Sequence, residues 1–211
     1  RPPKPPTAGP KAKDQINLTD EESRIMPVSG GGFEQAFNAQ AAVDTHSMLV
    51  TASAVTQACN DKEQIEPMLV KLTALPTSLG NTDVLLADTG YFSATNVAAC
   101  EQAGIDPHIA VKRECHHPPP LERFEEPMPL AEGSSPVARM MHKLQTQAGR
   151  TTYALRKQTV EPVFGIIKSV LGFRQFSLRG LDKVSGEWIL VCLAWNLKRM
   201  AVLRPKSAQW A

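Results

Sequence analysis

Hydrophobic and polar positions along this chain follow the two periods typical of strands and of helices. Short strand-type runs at residues 39–43 and 48–55 flank a polar four-residue segment, a pattern that predicts a β-hairpin. Residues 84–87 are almost all apolar, which is typical of a buried central strand. Residues 108–112 form a further short run of strand type. The pattern places the start of ordered structure near Asn38.

Helices are predicted between and after these strands. Asn60 or Asp61 is expected to cap a helix that runs to about Ala74, and Ser93 to cap a second helix that ends at Gly104. Three more helices are predicted, over residues 139–147, 153–171 and 183–203. Helical spacing in the last of them puts large apolar residues near one face: Val184, Trp188, Val191, Trp195 and Met200. A hairpin followed by alternating helices and strands predicts an α/β fold with a mixed sheet flanked by helices.

The remaining segments have compositions that do not favour a core. Residues 1–32 are rich in proline and glycine, with five prolines among the first ten positions, and are predicted to be a flexible arm. The predicted domain covers residues 33–203 and carries a surface insertion rich in proline and glutamate at residues 114–136. Residues 204–211 are assigned as a tail.

Composition and charge narrow the functional classes. A hydrophobic content of 42% and a charged content of 21% are ordinary for a globular protein, and no apolar stretch approaches the ~20 residues needed to cross a bilayer. The net charge of +2 conceals an asymmetry, because residues 150–211 contain 11 Lys and Arg against three Asp and Glu. A basic C-terminal third indicates a phosphate-rich partner such as nucleic acid.

Two carboxylates carry the candidate chemistry. Asp88 directly follows a predicted strand and precedes Gly90, at the strand end where open α/β sheets bind ligands. Glu161 heads an apolar stretch, and Lys168 follows it by about two helical turns. Carboxylates in a basic region suit a metal-dependent phosphodiester enzyme, because metal ions need anionic oxygens and the polyanionic substrate needs cations. The structural alternatives are a turn cap for Asp88 and a helix-start charge before Pro162 for Glu161.

The cysteines and histidines allow a zinc site as another interpretation. Four cysteines lie far apart without a paired spacing, which favours free thiols in a reducing compartment over a disulfide framework. A zinc site would have to combine residues without the usual ligand spacing, which disfavours it: Cys100, His108, Cys115, His116 and His117.

The order of the predicted elements resembles the RNase H-like core of DDE-type transposases of bacterial insertion sequences. The resemblance covers nearly all of the chain beyond its proline-rich start, and its motifs are specific as a set. They are Asn-Leu-Thr-Asp at 17–20, Phe-Asn-Ala-Gln-Ala-Ala-Val-Asp at 37–44, Ala-Asp-Thr-Gly-Tyr at 87–91, Val-Glu-Pro-Val-Phe-Gly at 160–165, Leu-Arg-Gly-Leu at 178–181 and Trp-Asn-Leu-Lys-Arg-Met at 195–200.

The resemblance implies a function and a site. Asp88 becomes the second and Glu161 the third carboxylate of a catalytic triad, and both become metal ligands. A complete site would hold two Mg²⁺ or Mn²⁺ ions and carry out strand cleavage at element ends and strand transfer into target DNA. The implied partners are transposon-end and target DNA in the bacterial cytoplasm, with no membrane partner, and a homodimer is left open.

The resemblance also implies phosphate contacts by basic residues. Lys168 keeps the spacing of the family's Tyr, Arg, Glu, Lys signature, with six residues between it and Glu161. The sequence departs upstream, where Lys157 stands at the arginine position and Arg156 lies farther from Glu161. Lys168 is therefore preferred as a phosphate contact over Tyr153 and Arg156. Five residues are expected at the DNA: Lys168, Arg174, Arg179, Arg156 and Lys157.

The first carboxylate of the triad has no clear counterpart. In the family it lies on a strand before the hairpin, and residues 1–32 contain no strand-type run. Asp44 is an alternative and Asp20 a poorer one, although a turn role explains Asp44 better. The sequence therefore predicts the C-terminal part of a transposase that lacks its first strand and is inactive alone. The competing functions are a non-catalytic nucleic-acid-binding remnant and an RNase H-like nuclease.

Overall fold

A computed structural model describes residues 16–28, 31–112 and 125–204 of the chain. The first 15 residues of the predicted arm, residues 114–124 of the predicted insertion and the tail beyond residue 204 lie outside this description. An antiparallel ribbon of β1 (Arg24–Pro27) and β2 (Phe33–Ala36) precedes the hairpin. The expectation that structure begins near Asn38 was therefore wrong, because these two short strands pair with each other before that residue.

The predicted hairpin is confirmed as β3 (Asn38–Val43) and β4 (Val50–Thr56), which pair antiparallel. The ladder is irregular between Ala42 and Val43, next to the turn that begins at Asp44. The last helix of the described residues, α5 (Leu181–Leu203), packs against β4. The hairpin thus presents one face to a long helix, as its apolar positions require.

A parallel βαβ unit follows the hairpin. Its strands are β5 (Val84–Ala87) and β6 (Asp106–Ile109), and α2 (Ala94–Gln102) connects them. Ser93 caps α2 by accepting a hydrogen bond from the Asn96 amide, and Gly104 has a φ of +72°, as the sequence predicted. β5 pairs only with β6 among the described strands and Val84 is 41% exposed, so the expectation of a buried central strand needs correction.

The helix between hairpin and β5 begins later than predicted. α1 (Ile65–Thr73) follows Gln64, and neither Asn60 nor Asp61 caps it. The reason is that the Asp61 carboxylate accepts hydrogen bonds from two side chains of the hairpin, while the Asn60 side chain closes a local turn. This correction bears on the site, since Asp61 is held in place by β3.

Two helices precede α5 in the C-terminal half. α3 (Pro136–Gln145) and α4 (Gln147–Ser169) meet at Thr146, whose hydroxyl accepts a hydrogen bond from the Gly149 amide. α4 starts before the predicted residue 153, and it continues through Pro162. Glu161 therefore lies in the interior of a 23-residue helix, and the interpretation of it as a helix-start charge was wrong.

The core consists of three apolar clusters. The largest joins the βαβ unit to α1, α3 and α4, and includes Ala87, Ile109 and Tyr153. A second lies between the hairpin, α4 and α5 and is built around Trp188, which stacks on Phe164 at 5.7 Å. A third joins β4 to α1. The predicted mixed α/β domain is thus confirmed as small sheets flanked by helices. None of the helices described here has the length and apolar character of a membrane span.

Candidate active site

Asp88 occupies the C-terminal end of parallel strand β5 and is exposed. Its backbone is extended, and its Oδ1 accepts a hydrogen bond of 2.8 Å from the Gly90 amide. This bond caps a 3₁₀ turn at Thr89–Tyr91. The turn-cap role proposed as a structural alternative is therefore present, and it fixes the orientation of the carboxylate. Because the cap engages Oδ1 alone, it is compatible with a ligand at Oδ2.

A second carboxylate, that of Asp61, also lies close to Gly90. A Cβ atom at Gly90 would stand 3.1 Å from Asp88 Oδ1 and 3.3 Å from Asp61 Oδ2. Glycine at this position thus allows the two carboxylates to approach one another through space that a side chain would fill. The sequence analysis missed Asp61 as a neighbour of Asp88, because it was interpreted as a helix cap.

Glu161 lies on α4 with 57% of its side chain exposed and forms an ion pair with Arg156, at 3.3 Å between Oε1 and Nη2. The Arg156 side chain is only 17% exposed, and its guanidinium lies 5.6 Å from the centre of the Tyr153 ring. Its Nε atom is buried without a hydrogen-bond partner in the described part of the chain. Arg156 is therefore held against the helix and its charge is directed toward Glu161.

The fold brings the elements of the two carboxylates into contact, since α4 packs against β5 and β6. Tyr153 of α4 belongs to the same apolar cluster as Ala87, which directly precedes Asp88. Oxygen donors of this kind suit hard divalent cations such as Mg²⁺ and Mn²⁺. Within the described residues, however, no three acidic, histidine or cysteine side chains form a group that could enclose a metal ion. The carboxylates of Asp88 and Glu161 therefore suit such an ion by the kind of atom that they offer, but the described residues do not form a three-ligand group around it.

Asp44, the alternative first carboxylate, has the contacts of a turn residue. Its Oδ2 accepts hydrogen bonds from the Ser47 amide at 2.7 Å and from the Ser47 hydroxyl at 2.6 Å. Partial burial acts to raise the pKa of the Asp44 carboxyl, but the bonds from Ser47 and the charge of His46 outweigh it and lower the pKa. These contacts favour the turn interpretation over a catalytic one.

The basic residues assigned to DNA differ in their environments. Lys168 is exposed near the end of α4, and the Arg174 side chain donates a hydrogen bond to its carbonyl oxygen at 3.4 Å. Arg179 is exposed directly before α5, and Lys157 is exposed on α4. Arg156, by contrast, is largely covered and paired with Glu161. Lys168 and Arg174 are therefore two exposed basic residues that the structure brings into contact.

A buried polar network that the sequence analysis did not identify connects the hairpin to the Asp88 turn. Gln40 of β3 is 5% exposed, accepts a hydrogen bond from the Tyr91 hydroxyl and donates one to Asp61. The signal in the sequence is a glutamine between apolar hairpin residues, inside the segment at 37–44 that carried the family resemblance.

The zinc interpretation finds no support in the part of the chain that is described. Burial raises the pKa of the Cys100 thiol to about 11, so it is protonated at neutral pH. Burial also lowers the pKa of His108, with the charge of Lys143 adding to this effect. Cys115, His116 and His117 lie outside the described residues, and no metal-binding group of three occurs within them.

Comparison with known proteins identifies the family. The family model described as the transposase DDE domain matches residues 17–197, which is most of the chain. No curated protein and no solved structure matches the chain. The small sheets flanked by helices agree with the RNase H-like fold expected of such a domain. This chain belongs to the transposase DDE domain family.

Proposed function

We propose that this chain takes part in metal-dependent cleavage and strand transfer of DNA during transposition, with Asp88 and Glu161 as metal-binding carboxylates. The observation that best supports this proposal is that the exposed Asp88 carboxylate lies at the C-terminal end of a parallel strand. Asp88 is also within residues 17–197, which match the transposase DDE domain. That strand end is where open α/β sheets place ligand-binding groups. Transposases of this family generally use divalent metal ions.

Two Mg²⁺ or Mn²⁺ ions in a complete site would supply Lewis-acid activation of the attacking oxygen and stabilisation of the leaving oxygen. The chain's own contribution is to hold the oxygens. The Gly90 amide orients the Asp88 carboxylate by its bond to Oδ1. Arg156 neutralises and orients Glu161, which limits repulsion between that carboxylate and a DNA phosphate. Both devices keep acidic groups ordered before substrate arrives.

DNA would lie along the basic C-terminal third of the domain. Lys168 and Arg174 are exposed and adjacent, and Arg179 lies at the start of α5. Cations of this kind bind phosphates without regard to sequence, so their contribution should weaken as salt rises. We further propose that the reaction takes place on transposon-end and target DNA in the bacterial cytoplasm, and that two copies of the chain act as a homodimer.

The proposal is tested by titrating the full chain with Mn²⁺. Binding is measured as the loss of the free-ion signal in electron paramagnetic resonance. Asp88→Asn and Glu161→Gln should each weaken binding by about tenfold or more. Asp83→Asn is the matched control, since Asp83 is exposed at the opposite end of β5. Equal Mn²⁺ binding by Asp88→Asn and the unchanged chain would overturn the assignment of Asp88.

DNA assays separate the proposal from its alternatives. We expect the chain alone to give no metal-dependent nicking of supercoiled DNA, because two carboxylates hold the ions more weakly than three. Nicking that Asp88→Asn abolishes would contradict this expectation but support the site. DNA binding without any Mn²⁺ binding would indicate a non-catalytic nucleic-acid-binding protein, and cleavage of RNA would indicate an RNase H-like nuclease.

A further inference from the structure

The turn that carries Asp88 is connected to the hairpin by side chains. β3 and β5 belong to different two-stranded sheets, and no backbone ladder joins them within the described residues. The hydrogen bond from the Tyr91 hydroxyl to Gln40 Oε1, at 2.5 Å, spans this gap. A polar contact, and not strand pairing, therefore connects the Asp88 turn to the hairpin.

Both polar groups of the Gln40 side chain, and its main-chain oxygen, form hydrogen bonds. Its Nε2 donates to Asp61 Oδ1 and to Asn38 Oδ1, both at 2.8 Å, while its Oε1 accepts from Tyr91. Its main-chain oxygen accepts from the Trp188 indole at 2.9 Å. A buried amide with all its groups paired is rigid, because moving it would leave several buried polar atoms unsatisfied.

Tyr91 is fixed at both ends. Its amide donates to the Asp88 carbonyl and so closes the 3₁₀ turn, and its carbonyl oxygen accepts from the Asn96 side chain at 2.6 Å. Burial is the main cause that raises the pKa of the Tyr91 hydroxyl, and the charges of Asp61 and Asp88 raise it further. The hydroxyl thus stays protonated and remains a donor to Gln40.

We propose that Gln40 is a positioning residue of this domain, which acts through Tyr91 to fix the turn that presents the Asp88 carboxylate. The inference rests on the metal-binding role proposed for Asp88. Gln40 also donates a hydrogen bond to Asp61, so a single side chain contacts both the Asp88 turn, through Tyr91, and the second carboxylate near Gly90. The hairpin thereby controls the geometry of a carboxylate on another sheet.

The test removes one hydroxyl group. In Tyr91→Phe, solvent exchange of the Gly90 amide, measured by NMR on the full chain, should accelerate about threefold to tenfold, the effect expected for one lost hydrogen bond. The Ile105 amide, which donates to the Cys100 carbonyl, serves as the internal reference. Thr73→Val is the control variant, because it removes a hydroxyl of α1 outside the network. Unchanged Gly90 exchange, or equal acceleration at Ile105, would overturn the proposal.

Two substitutions that swap the amide of Gln40 with the carboxylate of Asp61 test the role of Gln40 itself. Gln40→Glu removes both amide donors and places a second carboxylate against Asp61, so it should speed Gly90 exchange more than Tyr91→Phe does. Combining Gln40→Glu with Asp61→Asn moves the amide to the other side of the same contact and should restore slow exchange. Failure of the combined variant to restore it would contradict the positioning role.

Metal binding connects the network to the site. Tyr91→Phe should weaken Mn²⁺ binding by about threefold or more, and equal binding alongside faster Gly90 exchange would sink the functional part of the proposal. If the unchanged chain shows no Asp88-dependent Mn²⁺ binding, the proposed function fails instead. The exchange measurements then still decide whether Gln40 fixes the turn.

Discussion

Arg156 and Glu161 lie five residues apart on α4 and form an ion pair whose two members differ in burial. The arginine side chain is 17% exposed and the glutamate 57%. The pair holds the proposed metal ligand by one oxygen while leaving most of its carboxylate open to solvent. An exposed carboxylate with a fixed partner is arranged to receive a ligand and contributes little to folding, which gives the first prediction.

Glu161→Gln should lower the free energy of unfolding by less than about 1 kcal/mol, because an ion pair with an exposed partner contributes little to stability. Urea denaturation of the variant and of the unchanged chain measures the difference. Thr159→Val is a useful comparison, since Thr159 is 3% exposed on the same helix and its hydroxyl bonds the Leu155 carbonyl. A loss of several kcal/mol in Glu161→Gln would show that Glu161 has a structural role.

Two glycine substitutions should have opposite effects. Gly165→Ala adds a methyl group to the interior of α4, where no described atom beyond the neighbouring residues and backbone of that helix lies within 4 Å of it. It should therefore stabilise the chain by about 0.5–1 kcal/mol. Gly90→Ala places its Cβ close to Asp88 Oδ1 and Asp61 Oδ2, so those carboxylates must shift by a few tenths of an ångström. This substitution should weaken Mn²⁺ binding and lower the free energy of unfolding by about 1 kcal/mol or more.

Thermal unfolding and Mn²⁺ titration of both alanine variants check this pair of predictions. Gly165→Ala serves as the control for Gly90→Ala, since both add a single methyl group at an exposed position. The prediction fails if Gly90→Ala binds Mn²⁺ as the unchanged chain does, because the carboxylates would then tolerate the displacement.

Local chemistry explains which parts of this fold the sequence could predict. Three features could be predicted because they depend only on neighbours within a few residues. They are the cap at Ser93, the left-handed conformation of Gly104 and the hairpin turn at Asp44. The helix predicted over residues 153–171 contains Glu161, and only the alternative that made Glu161 a helix-start charge was wrong: Pro162 is typical of a helix start, whereas α4 continues through it. The strand Arg24–Pro27 was missed because its pairing with β2 leaves most of it exposed.

The network around Asp88 could not be predicted because it depends on contacts between distant segments. Tyr91 and Gln40 are separated by 51 positions, and Asp61 has the same sequence signature whether it caps a helix or accepts bonds from β3. The place of Asp88 at a strand end was predicted because a carboxylate after a short apolar run has a local signature. The sequence thus indicated the exposed carboxylates but not the buried groups that orient one of them.

Acid should weaken the hairpin turn through Asp44. Its folded-state pKa is lowered, so its contribution to stability is complete above the ordinary aspartate pKa of about 3.9 and disappears as the pH falls through the lower folded value. Asp44→Asn should therefore reduce the free energy of unfolding at pH 7 and have a smaller effect at pH 3. Urea denaturation at both pH values measures this change.

Ser47→Ala provides the independent check on Asp44, because it removes the hydroxyl that donates to the carboxylate. It should reduce the difference in stability between pH 7 and pH 3 in the same direction as Asp44→Asn. A pH dependence unchanged by both substitutions would show that other carboxyl groups account for the acid sensitivity.

The three described cysteines should differ in reactivity. Burial raises the pKa of the Cys100 and Cys192 thiols to about 11 each, whereas Cys59 is exposed. Only the thiolate reacts, so at pH 8 a maleimide or disulfide reagent should modify Cys59 within minutes and the two buried thiols only after denaturation. Mass spectrometry of labelled peptides measures the order, and rapid modification of Cys100 in the folded chain would contradict its burial.

DNA affinity should depend on Lys168 and salt together. Lys168 is exposed near the end of α4, and each phosphate contact adds about 0.9 to the slope of log affinity against log salt concentration on duplex DNA. Lys168→Met should weaken binding at low salt and reduce that slope by about one. Fluorescence anisotropy with a labelled duplex at several salt concentrations measures both quantities.

Lys71→Met is the matched control for this measurement, since Lys71 is exposed on α1 and lies outside the basic sequence region of residues 150–211. Because binding to phosphates is independent of sequence, Lys168→Met should weaken binding to unrelated duplexes by the same factor. A slope that stays the same in Lys168→Met, or falls equally in Lys71→Met, would place the DNA elsewhere on the domain. Loss of binding to one duplex alone would instead assign Lys168 a contact to bases.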